Sequence, residues 1–185
     1  KMEIIGSTID DAAGEAFDKT AKILGLPYPG GPLIDKYAQL GNENRFEFAK
    51  PNMPNYDFSF SGLKTSILYF LQKQTKLDPT FMETALHDIC ASVQKSILDI
   101  LFVKLQKASQ DLNIKEIAIA GGVSANSGLR KQLQEVGAKQ GWNVFIPKFE
   151  FCTDNAAMIA MTGYFMFQEK IFADQRVSAQ ARMEF

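Results

Sequence analysis

The sequence predicts an α/β fold in which parallel strands are joined through helices. Residues 117–120 form a short apolar run with no polar face, which is typical of a buried parallel strand. Gly121-Gly122 ends this run, and Ser124 or Asn126 can cap the helix that follows. A second apolar run, residues 142–147, comes after that helix. Two strands connected through a helix usually lie parallel in one sheet.

The glycine pair also makes this turn a candidate nucleotide site. A strand that ends on glycine and leads into a helix brings bare backbone close to a ligand, and the helix N-terminus offers free N–H groups. A tight turn without a ligand is the alternative interpretation. The stretch lacks the Gly-x-Gly-x-x-Gly spacing of a dinucleotide fold and the Gly-Lys-Ser/Thr of a P-loop, so both of these sites are disfavoured.

Composition narrows the class of protein. The 185 residues are enough for one sizeable domain, and a hydrophobic fraction of 46% is ordinary for a globular protein. No apolar run approaches the roughly 18 residues that a membrane span needs, so no membrane association is expected. Two cysteines, Cys90 and Cys152, suit a reducing, cytoplasmic location. The balance of 20 basic and 21 acidic side chains excludes a generally basic nucleic-acid binder but not a local basic patch.

Residues 3–6 look like the end of a strand, and Ser7 or Thr8 can cap a helix that runs to about residue 24. Gly14 interrupts this helix at a cost of about 1 kcal/mol relative to alanine, which predicts that another group approaches closely there. Asp18 lies on the same helical face as Gly14, so that face is a candidate site; a solvated acidic face is the alternative.

Residues 27–32 contain three prolines and two glycines, which predicts a rigid turn with room for a ligand beside Gly31. A plain connector between helices is the alternative. A helix from Gly31 to about residue 40 should follow, with Asp35 one turn in and able to face back toward the turn.

The middle of the chain is predicted to be a loop at residues 41–57, with a short strand at 45–48, followed by a strand at 57–61. Ser61 should cap a helix to about residue 74. Residues 81–112 should form a long, central, largely buried helix that includes His87, the only histidine. The last predicted helix ends near residue 168 and has Thr153 or Asp154 as its N-cap.

Five motifs in order closely resemble one protein family. They are DDAAGEAFDK at 10–19, YPGGP at 28–32, DFSFSGLKT at 57–65, AGGVSAN at 120–126 and FCTDN at 151–155. The family is that of the tRNA threonylcarbamoyladenosine transferases, formerly known as glycoproteases or O-sialoglycoprotein endopeptidases. The resemblance implies the second, carboxy-terminal lobe of an actin-like ATPase fold (ribonuclease-H-like), with helical insertions and the first lobe missing. Residues 1–174 would form this lobe and 175–185 a tail, so the chain is expected to be a fragment of a longer protein.

The resemblance also implies transfer of a threonylcarbamoyl group from threonylcarbamoyl-adenylate to N6 of the adenosine beside the tRNA anticodon. It identifies no catalytic residue in this chain. The positions that match the family's adenylate-binding residues are Asp18, Gly31, Asp35 and Asn126, with Asn126 facing the adenine beside Gly121 and Gly122. Asp18 and Asp35 would accept hydrogen bonds from ribose hydroxyls. The bound nucleotide would be the adenylate substrate or ATP.

Asp154 falls on the position of the family's carboxylate ligand to a divalent metal ion, iron or zinc. The family's histidine pair and its Ser-Gly-Gly-His phosphate loop have no counterpart here. A lone carboxylate is a poor site for either metal, so the metal is expected to be weak or absent in this chain and the chain inactive alone.

The expected partners are tRNA, the partner proteins of the threonylcarbamoyl transfer complex, and a second copy paired through an exposed sheet edge at residues 3–6. Two other functions remain open, an actin-like ATP-binding or phosphotransfer domain and a non-catalytic interaction lobe. A peptidase is the weakest interpretation, since the sequence has no catalytic triad or zinc motif.

Overall fold

A computed structural model describes residues 3–179, which are mainly helical with one small sheet. The helices are α1 (Ala13–Ile23), α2 (Gly30–Ala38), α3 (Ser61–Leu77), α4 (Phe81–Thr84), α5 (Leu86–Leu112), α6 (Ser127–Gln140) and α7 (Ala156–Gln168). The strands are β1 (Glu116–Ala118) and β2 (Asn143–Phe145). Within residues 3–179, no helix is both long enough and apolar enough to cross a membrane.

The predicted strand–helix–strand unit is confirmed. β1 and β2 are parallel neighbours, with Ile117 opposite Val144, and α6 connects them. The expectation that β1 is buried on both faces is wrong, because only Ile117 is buried and its two neighbours in the strand are exposed. One face of this two-stranded sheet packs on a small apolar cluster from α5, α6 and Trp142, and the other face is left open.

The main core forms around α5, as predicted. Ile89, Val93 and Ile97 are fully buried there, and they pack with the apolar faces of α1, α2 and α3. The predicted helix at 81–112 is interrupted once, because Ala85 leaves the helical conformation and separates α4 from α5. The His87 ring is exposed and lies beside the Tyr37 ring, with 5.4 Å between centroids.

Three predicted strands, at residues 3–6, 45–48 and 57–61, do not form. Among the described residues, a single parallel bridge, between Thr8 and Phe58, is the only strand-like pairing near the first and last of these segments. Side chains replace the missing ladder: Asp57 Oδ1 accepts a hydrogen bond from Ser7 N at 2.9 Å. The sheet edge that was expected at residues 3–6 is therefore not formed.

Asp10 has a structural role that the sequence did not reveal. Its carboxylate accepts hydrogen bonds from Phe60 N at 2.8 Å, Ser61 N at 3.3 Å and Ser59 Oγ at 2.5 Å, so it caps the start of α3. Ser61, the predicted cap, is instead the first residue of that helix. Helix α1 begins later than predicted, at Ala13 with Ala12 as the N-cap, so the prediction of Ser7 or Thr8 as its cap is wrong.

Helix α7 differs from every other long helix of the described chain. Its residues are predominantly apolar, yet none is buried; Ile159 is 68% exposed, Phe165 57% and Phe167 66%. Its N-cap is Asn155, whose Oδ1 accepts a hydrogen bond from Met158 N at 2.9 Å, so the prediction of Thr153 or Asp154 as the cap is wrong. Residues 171–179 contain no helix or strand, and the rest of the predicted tail lies outside the described residues.

Candidate functional site

The carboxylate of Asp18 on α1 holds the first turn of α2. Asp18 Oδ1 accepts hydrogen bonds from Gly30 N at 2.9 Å and Gly31 N at 3.1 Å. Close packing requires glycine at this point, since a Cβ on Gly30 would lie 2.1 Å from the Ala21 Cβ. Asp18 Oδ2 accepts no hydrogen bond from residues 3–179, which leaves this oxygen available to a ligand.

A cavity of about 320 Å³ opens beside Asp18. Its lining includes Lys19, Lys22 and Tyr28. Lys19 also contacts the Asp11 carboxylate, which accepts a hydrogen bond from the ammonium and raises the pKa of Lys19 above its ordinary value. The Lys19 ammonium at this cavity is therefore paired with the carboxylates of Asp11 and Glu15.

The glycine turn after β1 leaves room for a ligand. Gly121 has φ 79° and ψ 175°, a conformation that residues with a Cβ rarely adopt. A short 3₁₀ turn, Gly122–Ala125, follows, and the Ser124 hydroxyl donates a hydrogen bond to Gly121 O at 2.6 Å. A Cβ on Gly121 or Gly122 would meet no atom within 4 Å, so both glycines border open space.

Asn126 caps α6, as one of the two predicted alternatives. Its Oδ1 accepts a hydrogen bond from Leu129 N at 2.8 Å, and its Nδ2 donates to Gln94 Oε1 at 2.7 Å. The residue is only 9% exposed. The amide that was predicted to face an adenine is thus held from both ends by α5 and α6.

Asp35 does not face back toward the turn at residues 27–32, as its position in α2 suggested. It reaches across to α6 instead, where Oδ1 accepts a hydrogen bond from Ser127 Oγ at 2.7 Å and Oδ2 accepts one from Ser127 N at 3.0 Å. A free N–H at the start of α6 attracts this carboxylate, which the partial positive charge of the helix end also favours.

The structure brings six of the seven predicted site residues onto connected segments. A Cβ on Gly14 would lie 3.5 Å from Val123 Cγ2, an ordinary van der Waals distance, so α1 contacts the glycine turn there but the close approach predicted at Gly14 is not found. Asp18 lies one helical turn beyond Gly14 on the same face of α1. Helix α1 thus joins the glycine turn to the start of α2, and Asp35 joins α2 to the residue after Asn126.

Asp154, the seventh predicted residue, is exposed and lies just before α7. Residues 3–179 contain no group of three or more His, Cys, Asp or Glu side chains that could hold a metal ion. His87, on α5, lies beside Tyr37 instead, with the two rings tilted by 39°. Among the described residues, Asp154 therefore has no neighbouring set of metal ligands.

Arg130 connects the glycine turn to the segment that carries Asp154. Its Nε donates to Ser124 O at 2.7 Å, and its Nη2 donates to Pro147 O at 2.8 Å and contacts Cys152 Sγ at 3.1 Å. The guanidinium also lies over the Phe149 ring, 5.6 Å from its centroid. Sequence reasoning missed this residue, although a cation four residues after a helix cap, beside a glycine turn, was a usable signal.

A second cleft, of about 340 Å³, lies between α5 and α6. It is lined by charged side chains of both signs and borders Gln94 and Gly128, but it includes none of the seven predicted residues. The candidate site is therefore the open side of the glycine turn together with the cavity at Asp18.

Comparison with known proteins gives one consistent result. The profile of the family described as tRNA N6-adenosine threonylcarbamoyltransferase matches residues 1–161. Curated proteins of that name include one from Christiangramia forsetii, 60% identical over 100% of this chain and 54% of its own length. The proteins from Riemerella anatipestifer and Cytophaga hutchinsonii are 59% and 55% identical over 99% of this chain, and over 54% and 53% of their own lengths. The chain spans about half the length of these relatives.

Proposed function

The chain belongs to the tRNA N6-adenosine threonylcarbamoyltransferase family, and from this premise we propose that it forms the adenylate-binding lobe of a tRNA-modifying enzyme. The complete enzyme would transfer the threonylcarbamoyl group of threonylcarbamoyl-adenylate to N6 of the adenosine beside the anticodon. The amine nitrogen bonds to the carbamoyl carbon and loses a proton, and the adenylate leaves as AMP. This lobe contributes by holding the adenylate in place for that attack.

The observation that carries the proposal is the open glycine turn with two carboxylates on the segments that contact it. Gly121 and Gly122 border empty space, and α1 and α2 reach the turn through Val123 and Ser127. Glycine backbone lets a phosphate approach closely, and carboxylates accept hydrogen bonds from ribose hydroxyls. Together these groups suit a nucleotide.

The proposed binding residues have hydrogen-bonding capacity left for a ligand. Asp18 uses one oxygen for the start of α2, so its other oxygen can accept from a ribose hydroxyl. Asp35 uses both oxygens on Ser127, but each carboxylate oxygen has a second lone pair. Gly31 gives its N–H to Asp18, whereas Asn126 has one amide hydrogen beyond the one given to Gln94.

We further propose that residues 1–174 are the second lobe of an actin-like fold and that the first lobe covers α7. A helix that is apolar on all sides needs cover, and α7 has none among the described residues. The same first lobe would complete the ligand set of the metal around Asp154.

Calorimetry tests the nucleotide site. Removing a hydrogen bond to a partly buried group costs about 1–3 kcal/mol, so Asn126→Ala and Asp18→Ala should each weaken AMP binding roughly ten- to a hundredfold. Glu135→Ala is the matched control, since it removes an exposed carboxylate from α6 away from the turn. Unchanged affinity in both site variants would place the nucleotide elsewhere.

Nucleoside analysis of unmodified tRNA tests the reaction and separates it from the alternatives. The chain alone should form no threonylcarbamoyladenosine, whereas the two-lobed protein with its partners should form it and Asp154→Ala in that protein should abolish it. Phosphotransfer without the modified nucleoside would favour an ATP-binding domain. Binding of partners with neither reaction would favour an interaction lobe, for which exposed α7 is the supporting observation.

A further inference from the structure

The orientation of the Asn126 amide follows from its neighbours alone. Leu129 N can only donate a hydrogen bond, so the Asn126 atom that faces it at 2.8 Å is the oxygen. The nitrogen of the same amide must then face Gln94, and the Gln94 atom at 2.7 Å must be its oxygen, because only an oxygen accepts. The order of donors and acceptors is therefore determined from the backbone of α6 to the side chain of α5.

From this chain of hydrogen bonds we infer that Gln94 is a positioning residue for nucleotide binding, an inference that rests on the proposed function. Gln94 holds the amide of Asn126 so that Nδ2, with its second hydrogen, is the group offered to a ligand. A base bound there must present an acceptor, such as a ring nitrogen of adenine, to that hydrogen.

The surroundings leave the two amides little freedom to rearrange. Gln94 is 8% exposed and Asn126 9% exposed, so neither can exchange its partner for bulk water at low cost. Gly128 makes the contact possible, since a Cβ at this position would lie 2.5 Å from Gln94 Nε2 and 3.3 Å from Asn126 Oδ1. The glycine in the first turn of α6 therefore lets the Gln94 amide pack directly against this helix.

Gln94 acts through Asn126 and has no contact with the open side of the glycine turn among the residues described. Its loss should therefore weaken nucleotide binding only while Asn126 is present. A purely structural glutamine would instead lower stability and leave the two effects on affinity independent.

The experiment measures AMP affinity by calorimetry for the unsubstituted chain, Gln94→Met, Asn126→Ala and the double variant. Gln94→Met keeps the side-chain length and removes the acceptor; Gln110→Met is the matched control, on an exposed position of the same helix. Gln94→Met should weaken binding about tenfold, the value expected for one lost hydrogen bond, and the double variant should bind no more weakly than Asn126→Ala. Gln94→Glu keeps an acceptor oxygen and should bind more tightly than Gln94→Met.

Gly128→Ala offers a second test that leaves every hydrogen-bonding group in the chain, and it should also weaken binding because it displaces Gln94. Urea unfolding of each variant confirms that the folded state is being measured. If Asn126→Ala weakens binding but Gln94→Met behaves like Gln110→Met, or if the two losses simply add, this inference is overturned and the proposed function stands. If Asn126→Ala has no effect, or the unsubstituted chain does not bind AMP, the proposed nucleotide site is overturned and the inference with it.

Discussion

Replacing Arg130 should destabilise the chain, because its side chain contacts several segments at once. The side chain joins the glycine turn through Ser124 O, the segment after β2 through Pro147 O, and the turn before Asp154 through Cys152. Arg130→Met keeps much of the aliphatic stem and removes all of these donors. The three segments then lose their common anchor.

The magnitude follows from the contacts. A hydrogen bond from a charged donor contributes about 1.5–3 kcal/mol when its partner is buried, and less where solvent can replace it. Ser124 is 1% exposed, so the hydrogen bond to its carbonyl should contribute nearly the full free energy. Pro147 is only half-buried, so the hydrogen bond to its carbonyl should contribute less. With about 0.5–1 kcal/mol for the guanidinium over the Phe149 ring, the expected loss is about 2–4 kcal/mol. For a chain of this size that corresponds to a fall in Tm of roughly 5–15 °C.

Urea unfolding followed by circular dichroism measures this loss. Lys131→Met is the matched control, because it removes a neighbouring exposed cation from the same helix and should change stability by less than about 0.5 kcal/mol. Arg130→Lys keeps the charge but lacks the planar fork, so it should fall between the two. If Arg130→Met is as stable as Lys131→Met, the three contacts do not stabilise the fold and the argument fails.

Three further predictions concern pH, thiol reactivity and association. Burial acts to raise the pKa of Asp10, but hydrogen bonds from Phe60 and its neighbours outweigh burial and hold the pKa below the ordinary value of 3.8. The stabilisation from these bonds is therefore complete above pH 3.8 and is lost as the pH falls through the lowered pKa. Asp10→Asn should be less stable at pH 7 and lose less stability on acidification, and an unchanged acid-unfolding profile would refute this. Burial raises the pKa of the Cys90 thiol to about 12, so this thiol should not react in the native chain at pH 8. In a Cys152→Ser variant, iodoacetamide should label Cys90 only after urea is added, and rapid labelling without urea would contradict this. Exposed α7 should drive self-association of the chain, which Ile159→Glu with Phe165→Glu should abolish in light scattering; a monomeric parent chain would count against it.

Features set by neighbouring residues in the chain could be predicted from the sequence. Asn126 as the cap of α6 and the parallel pairing of β1 with β2 were predicted correctly, since a cap, a glycine turn and an apolar period are all local signals. The close approach predicted at Gly14 is not found, because a Cβ there would meet Val123 only at an ordinary van der Waals distance of 3.5 Å.

Long-range hydrogen bonds could not be predicted. Asp10 caps a helix that starts about 50 residues later, and Asp35 binds the N-terminus of α6 across 92 residues. The position of Asp35 in α2 had a sound local interpretation, as a carboxylate that faces back toward the proline-rich turn. A single sequence contains no information on which distant N–H group a carboxylate will meet. These tertiary contacts therefore could not be predicted from local patterns.

The exposed helix and the incomplete metal site have a common cause under the proposed function. Asp154 lies two residues before the first residue of α7. A first lobe that covers this helix would therefore also approach the Asp154 carboxylate. Covering apolar side chains as large as Ile159 and Phe165 supplies about 1.5–3 kcal/mol each, which is enough to hold a carboxylate close to ligands from another polypeptide segment. Metal affinity and docking of the first lobe should then be coupled. A two-lobed protein carrying Ile159→Glu should lose metal together with lobe association, even though that residue has no atom that binds a metal.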